Sequence, residues 1–299
     1  MRADPSEADL TQISITSLRQ KILTKEISIR IPTEIAKTRR NLSPGRNTYL
    51  ATNDENIQRQ LDQLESLDHV PLAGVPISIK DCFDVAGYPT SSGSRFYQEQ
   101  SGIRTADSAV AQQVRSAGGI VTGKTHLNQL AYGLTGENQD FGNCLQPANP
   151  TLLTGGSSSG AAASVLEGSA MCAIGTDTGG SIRFPASLCG LYGFRASLGV
   201  VSAHALYHRL GILQPRARLR PPQRVAPRLW FMVFPLASAA RVAGCSVVGV
   251  VLGRDRNHQW YCSSVVVAAR GRLHAGSRYG AHPALAGRLS RASVAPRGT

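Results

Sequence analysis

Three short segments concentrate residue types that can do nucleophilic chemistry. Gly155-Gly156-Ser157-Ser158-Ser159-Gly160 sets three hydroxyls between glycines. Gly175-Thr176-Asp177-Thr178-Gly179-Gly180-Ser181-Ile182-Arg183-Phe184-Pro185-Ala186 places a serine directly after two glycines. Gly74-Val75-Pro76-Ile77-Ser78-Ile79-Lys80-Asp81 ends an apolar stretch on a lysine. A serine can attack a carbonyl if a base takes its proton and nearby backbone amides receive the developing oxyanion. A lysine can be that base if burial removes its charge. Each segment alone also fits a plainer role. Glycine–serine clusters are commonly loops or helix N-termini, and a lysine at a strand end is commonly solvated. A phosphate loop would need Gly-Lys-Ser/Thr and a dinucleotide site Gly-x-Gly-x-x-Gly followed by an acid. None of the three segments has either.

The elements that would carry these segments alternate. Asp54 is placed to cap a helix with Ile57, Leu61 and Leu64 on one face, extended by Leu67. Gly74 to Lys80 reads as a strand, with Val75, Ile77 and Ile79 on one side and Ser78 and Lys80 on the other. Asp107 is placed to cap a helix through Val110 and Val114, stopped by Gly118-Gly119. A short strand starts at Ile120-Val121, Ser158 to Glu167 is an Ala-rich helix, and Met171 to Ile174 is a buried strand. Such alternation predicts an α/β fold, a sheet with helices on both faces.

Taken together, the three segments resemble the amidase signature family, which includes fatty-acid amide hydrolases, allophanate hydrolases and the glutaminase subunit of glutamyl-tRNA amidotransferase. The resemblance runs from near Leu10 to about Ser202. Asn47-Thr-Tyr-Leu-Ala-Thr52 and Pro71-Leu-Ala-Gly-Val-Pro76 are similar to the family's approach to its lysine. Gly123-Lys-Thr-His-Leu127 and Glu137-Asn138 are similar to its middle section, and the 24 residues from Ser157 to Ser181 fit its two-serine spacing. At Ser159 many members carry Gly and some Ser.

The resemblance implies a mixed β-sheet with helices on both faces, incomplete at the C-terminal side, and an amidase that cleaves a carbon–nitrogen bond through an acyl-enzyme. It implies that Ser181 is the nucleophile, Ser157 the bridge, held by a cis peptide, and Lys80 the distal base. Lys80 must then be neutral, well below its ordinary value of about 10.4. The same relay returns a proton to the leaving nitrogen, which an amide needs because an unprotonated amine leaves poorly. The amides of Thr178, Gly179, Gly180 and Ser181 are expected to form the oxyanion hole. Asp177 and Arg183 are expected to hold the turn, and Ser158 to add hydrogen bonds around the relay. His126 would suit Ser–His–Asp chemistry, but beside the three-part pattern it reads as structural. No metal-ligand cluster is visible in the sequence and no cofactor is expected.

Composition is that of a globular protein, 42% hydrophobic and 17% charged in 299 residues. The net charge of +13 is unevenly spread. Up to Ala205 there are 17 Lys plus Arg against 18 Asp plus Glu; from Leu206 onward there are 15 Arg, no Lys and a single acid, Asp255. Two regions follow: 1–205, the N-terminal part of an amidase signature domain, and 206–299, an Arg/Ala/Pro-rich tail without the resemblance and expected to be poorly ordered. The tail reads like GC-rich coding sequence in the wrong frame, so a frameshift near His204–Arg209 is expected. Leu229 to Leu252 is apolar, but Pro235 and Arg241 interrupt it, so no membrane association is expected. The six cysteines are scattered without a Cys-x-x-Cys pair, and the amino terminus has no apolar core of a signal; reduced thiols and a cytoplasmic location are the expectation. The expected partner is a small-molecule amide. The arginines lack accompanying aromatics or a recognition motif, so no specific nucleic acid is expected. Oligomeric state stays open, a homodimer included. The competing readings are an inactive amidase remnant and a glutaminase-type subunit of a tRNA amidotransferase.

Overall fold

The cap residues and apolar spacings resolve into elements in a computed structural model. It describes residues 10–42, 45–64 and 70–195, and the backbone of three strand segments at 233–234, 250–254 and 260–265. Ser14 accepts a hydrogen bond from the Ser17 amide and starts α1 (Ile15–Leu23), which buries Leu18 and Ile22. Pro32 sits in the first turn of α2 (Ile31–Asn41), where a missing N–H costs nothing. Next come β1 (Tyr49–Ala51), α3 (Asp54–Asp62), β2 (Pro76–Lys80), α4 (Arg95–Ser101), α5 (Ala109–Ser116) and β3 (Ile120–Thr125). They are followed by β4 (Leu145–Gln146), β5 (Asn149–Leu153), α6 (Ser159–Leu166), β6 (Cys172–Ile174), α7 (Arg183–Leu188) and β7 (Tyr192–Gly193). The backbone segments are β8 (Val233–Phe234), β9 (Val250–Arg254) and β10 (Trp260–Val265).

Two caps lie one residue from their expected places. Asn53, not Asp54, caps α3 by accepting from the Asn56 amide. Ser108, not Asp107, caps α5 by accepting from the Ala111 amide. Asp107 instead accepts from the Ala86 amide and pairs with Arg115. The chain turns at Gly118 with φ +83, as expected of a glycine stop.

The main sheet runs β1-β3-β2-β6-β8-β7. At its centre β2 is parallel to both β3 and β6, with Lys80 opposite Thr125 and Ile79 opposite Lys124 and Ile174. The outer pairs are antiparallel, so the sheet is mixed, as expected. Strand alternation sends Ile77 and Ile79 toward one face, where they cluster with Leu18, Ile22, Val110 and Val114. Ser78 and Lys80 point to the other, where α6 lies; the Ser78 and Ser164 hydroxyls are 2.8 Å apart. All five residues of β2 are buried, so the face that reads as polar in the sequence is interior too. Gly160 lets α6 approach the chain flanking β1 and β3: a Cβ there would meet the Thr48 carbonyl at 2.2 Å and the His126 backbone nitrogen at 2.4 Å. Separately, β4 pairs with β5 and β9 with β10.

The expected boundary at 205–206, the expected frameshift and most of Leu229–Leu252 lie outside the described residues. Among the described residues no helix is long and apolar enough to cross a membrane.

Candidate active site

Parallel strands bring their carboxyl ends to one edge of the sheet, and loops leaving that edge build the site. Lys80 is the last residue of β2 and is 0% exposed. Its Nζ donates to Thr176 Oγ1 at 2.7 Å, Ser157 Oγ at 2.8 Å and Ser158 Oγ at 3.0 Å. Among the described residues no carboxylate pairs with it. Burial pushes the amine down to about 8, against the opposing pull of Cys82 and Asp177. A hydroxyl can accept from an ammonium or donate to an amine, so these three partners suit both protonation states.

Ser157 and Ser158 lie between β5 and α6, and the Gly156–Ser157 peptide is cis, as the resemblance implied. Gly156 donates to the Leu134 carbonyl at 2.7 Å, and Asn128 donates from its backbone to the Ser157 carbonyl at 3.3 Å. A Cβ at position 156 would lie 2.0 Å from Asn128 Oδ1, so only glycine fits beside that side chain. Asn128 Oδ1 also accepts from the Gly136 amide, and its Nδ2 donates to the Glu137 carbonyl. Asn128 thus ties the serine loop to the segment before it.

The turn after β6 carries Ser181, which is 8% exposed. Asp177 organises it from the inside. Its carboxylate is fully buried and accepts from the amides of Gly180, Ile182 and Arg183, and from Arg183 Nε at 2.9 Å and Nη2 at 3.0 Å. Arg195 adds an ion pair at 3.6 Å. Burial pushes this carboxyl up, but the bonds and charge of Arg183 outweigh it and hold the group below its usual range. The Ser181 carbonyl accepts from the Ser158 amide at 3.0 Å, so the two serine-bearing loops are joined through the backbone.

Not every expected contact is present. Lys80 and Ser157 are hydrogen-bonded, but among the described residues no hydrogen bond links the side chains of Ser157 and Ser181. Of the four amides expected in the oxyanion hole, that of Gly180 is donated to Asp177. Those of Thr178, Gly179 and Ser181 donate to no described residue, and the space in front of Gly179 is open. His126 is buried between Ser159 Oγ, 2.7 Å from Nδ1, and the Gly142 carbonyl, 2.8 Å from Nε2. A carbonyl can only accept, so Nε2 carries the proton; burial pushes the ring down to about 4. It is a neutral strut, as expected.

Sequence reasoning missed three contributors. Thr176 makes the shortest bond to Lys80, and the signal was its place in the serine-bearing segment. Asn128 had no local signal. Asp81 and Lys124 form a buried ion pair next to Lys80 in the sheet, and only the register of β2 on β3 brings them together. Lys124 also ends a phosphate-loop spacing outside the three segments, from Gly118 to Gly123-Lys124-Thr125. Here that stretch is strand β3 rather than a loop leading into a helix, and its lysine is spent on Asp81. Among the described residues, no cluster of His, Cys, Asp and Glu could hold a metal.

Residues 40–216 match the model of the Amidase family. The chain is 36% identical over 207 residues to the glutamyl-tRNA(Gln) amidotransferase A subunit of Carboxydothermus hydrogenoformans, covering 66% of this chain and 42% of that one. It is 39% identical over 163 residues to the corresponding protein of Methanococcus maripaludis, covering 54% and 37%. Among solved structures it is similar to the peptide amidase of Stenotrophomonas maltophilia, with a TM-score of 0.59, 28% identity, and coverage of 65% of this chain and 42% of that one. It is also similar to the allophanate hydrolase of Kluyveromyces lactis, with a TM-score of 0.57, 30% identity, and coverage of 65% and 32%. The chain therefore spans less than half the length of these relatives.

Proposed function

We propose that this chain, which belongs to the amidase family, hydrolyses the carbon–nitrogen bond of a small amide through Ser181, Ser157 and Lys80. The observation that carries the reading is a fully buried lysine bonded to Ser157, with no described carboxylate paired to it to hold its proton. In this reading neutral Lys80 draws the proton of Ser157, which draws that of Ser181 as its oxygen attacks the carbonyl carbon. The Ser181 hydroxyl turns toward Ser157 when substrate binds, since catalytic hydrogen bonds are often open without it. The amides of Thr178, Gly179 and Ser181 receive the oxyanion. The proton returns through Ser157 to the leaving nitrogen, and the C–N bond breaks to leave an ester on Ser181. Water, deprotonated by the same relay, then releases the acid.

The similarity to amidotransferase subunits favours a second reading, a glutaminase-type subunit of a tRNA amidotransferase. It expects glutamine to be the amide hydrolysed. Cys144, Cys172 and Cys189 are buried thiols outside any disulfide, which supports a reducing compartment such as the cytoplasm.

A fluorophosphonate probe tests the assignment, because it needs an activated serine but no known substrate. Labelling should vanish in Ser181→Ala and slow by at least ~10²-fold in Lys80→Ala. Its rate in the unaltered chain should rise with pH and level off above about 8, as Lys80 loses its proton. Labelling that survives Ser181→Ala, or a rate indifferent to Lys80→Ala, would overturn the reading.

A further inference from the structure

The site holds two buried lysines on adjacent strands, and their surroundings differ in kind. The register sets Lys124 opposite Ile79, so Lys124 and Asp81 lie on one face of the sheet and Lys80 on the other. Lys124 is 0% exposed and its three protons have three acceptors: Asp81 Oδ1, the Pro89 carbonyl at 2.9 Å and Thr90 Oγ1 at 3.1 Å. Three acceptors thus match the three donors of its amine head. Asp81 is equally enclosed; its other oxygen accepts from the Ser91 amide at 2.9 Å and from the Ser91 hydroxyl. Its backbone is fixed at both ends, to the Thr125 carbonyl and from the Ser92 amide. Asp81 is thus a rigidly placed carboxylate one residue from the base. Unpaired, it would favour a proton on Lys80.

We propose that Lys124 is a positioning residue for the reaction: paired with Asp81 across the sheet from Lys80, it cancels the carboxylate next to the base and lets Lys80 stand without its proton. The inference rests on the reading of Lys80 as base. Other groups around Lys80 do not supply the cancellation. Asp177 is itself paired with Arg183 and Arg195. Asp84 is paired with Arg104. On the segment leaving β3, His126 is neutral above about pH 4. On β6, burial pushes the Cys172 thiol up to about 12 and keeps it uncharged. Helix α6 carries no charged residue, and Cys82, like Asp177, pulls Lys80 toward its protonated form rather than away from it.

The test is the pH dependence of probe labelling at Ser181 in four full-length chains: unaltered, Lys124→Met, Asp81→Asn, and the double variant. One uncompensated charge across a strand at an effective dielectric of ~20 moves a neighbouring midpoint by about one pH unit. Lys124→Met should raise the midpoint by that amount, slowing labelling at pH 7 about tenfold. Asp81→Asn should lower it, and the double variant should restore it. A merely structural pair would change amplitude and leave the midpoint in place, so coincident midpoints in folded variants overturn the proposal. If one single variant does not fold, the other decides. A midpoint displaced in its stated direction supports the cancellation; an unmoved midpoint overturns it. Absence of Ser181-dependent labelling in the unaltered chain would instead refute the reading of the site itself.

Discussion

Asp177→Ala should unfasten the turn that carries Ser181. The carboxylate is fully buried and receives five hydrogen bonds, two of them from the Arg183 guanidinium. Two of the amides it accepts from, those of Ile182 and Arg183, stand at the start of α7, whose N-cap position has no side-chain bond of its own. Asp177 is therefore both counter-ion and remote cap. Losing a helix cap costs ~0.5–2 kcal/mol. Stranding the partner of a buried ion pair costs ~3–5 kcal/mol. The two overlap at Arg183, and Arg183 is partly exposed and can recover some hydration, so a total of about 3–4 kcal/mol is expected. In a cooperative unit of this size that corresponds to ~6–16 °C in melting temperature. Asp177→Asn keeps an acceptor but loses the charge, and should fall between. Differential scanning calorimetry at pH 7 measures both. The pH course adds a check of sign. The folded-state carboxyl is held below its ordinary value, so its contribution is present above the ordinary carboxylate range. It is lost as pH falls through the folded-state value. Asp177→Ala should accordingly show a shallower acid-side loss of stability. A shift under about 2 °C, with an unchanged acid slope, would refute the assignment of Asp177 as organiser.

Two further predictions concern the serine loop and the far end of α6. Gly156→Ala should remove nearly all Ser181 labelling, because its methyl would overlap Asn128 Oδ1; Asn128→Gly in the same chain should restore part of it, measured by probe labelling of the single and double variants. Glu167→Gln should stabilise the chain at neutral pH. Burial pushes this carboxyl up to about 6 from 4.5, so the folded state binds the extra proton and stability falls as pH rises through that window. Urea unfolding at several pH values should find that slope in the parent and not in the variant.

The legible parts of the molecule were those fixed locally. The apolar alternation before Lys80, the small residues of α6 and the stop at Gly118 each state their structure in a few neighbouring residues. The caps were displaced by one because Asn53–Asp54 and Asp107–Ser108 are both cap-competent pairs, and which member caps depends on backbone geometry rather than residue type. The buried face of β2 was not legible, because Ser78 looks solvated until Ser164 comes across from α6. Lys80, Ser157 and Ser181 stood out through combined resemblance. The Gly180 amide did not behave as expected because Asp177, three residues earlier, turns back to accept from it. The Asp81–Lys124 pair needs the register of two strands far apart in the chain, which no local pattern encodes.

Burial of Lys80 has a second chemical effect. An amine with a value near about 8 is far more often unprotonated at neutral pH than a surface lysine. An unprotonated amine is itself a nucleophile, open to capture by cyanate, carbon dioxide or reactive esters. The loss of solvent that frees the lone pair also shuts out such reagents. Three hydroxyls and the floor of the sheet enclose the nitrogen, and the contacts around it suit a proton better than a carbon electrophile. The arrangement confines a reactive amine to one kind of exchange partner, the proton, and shields its lone pair from carbonyl compounds that would otherwise consume it.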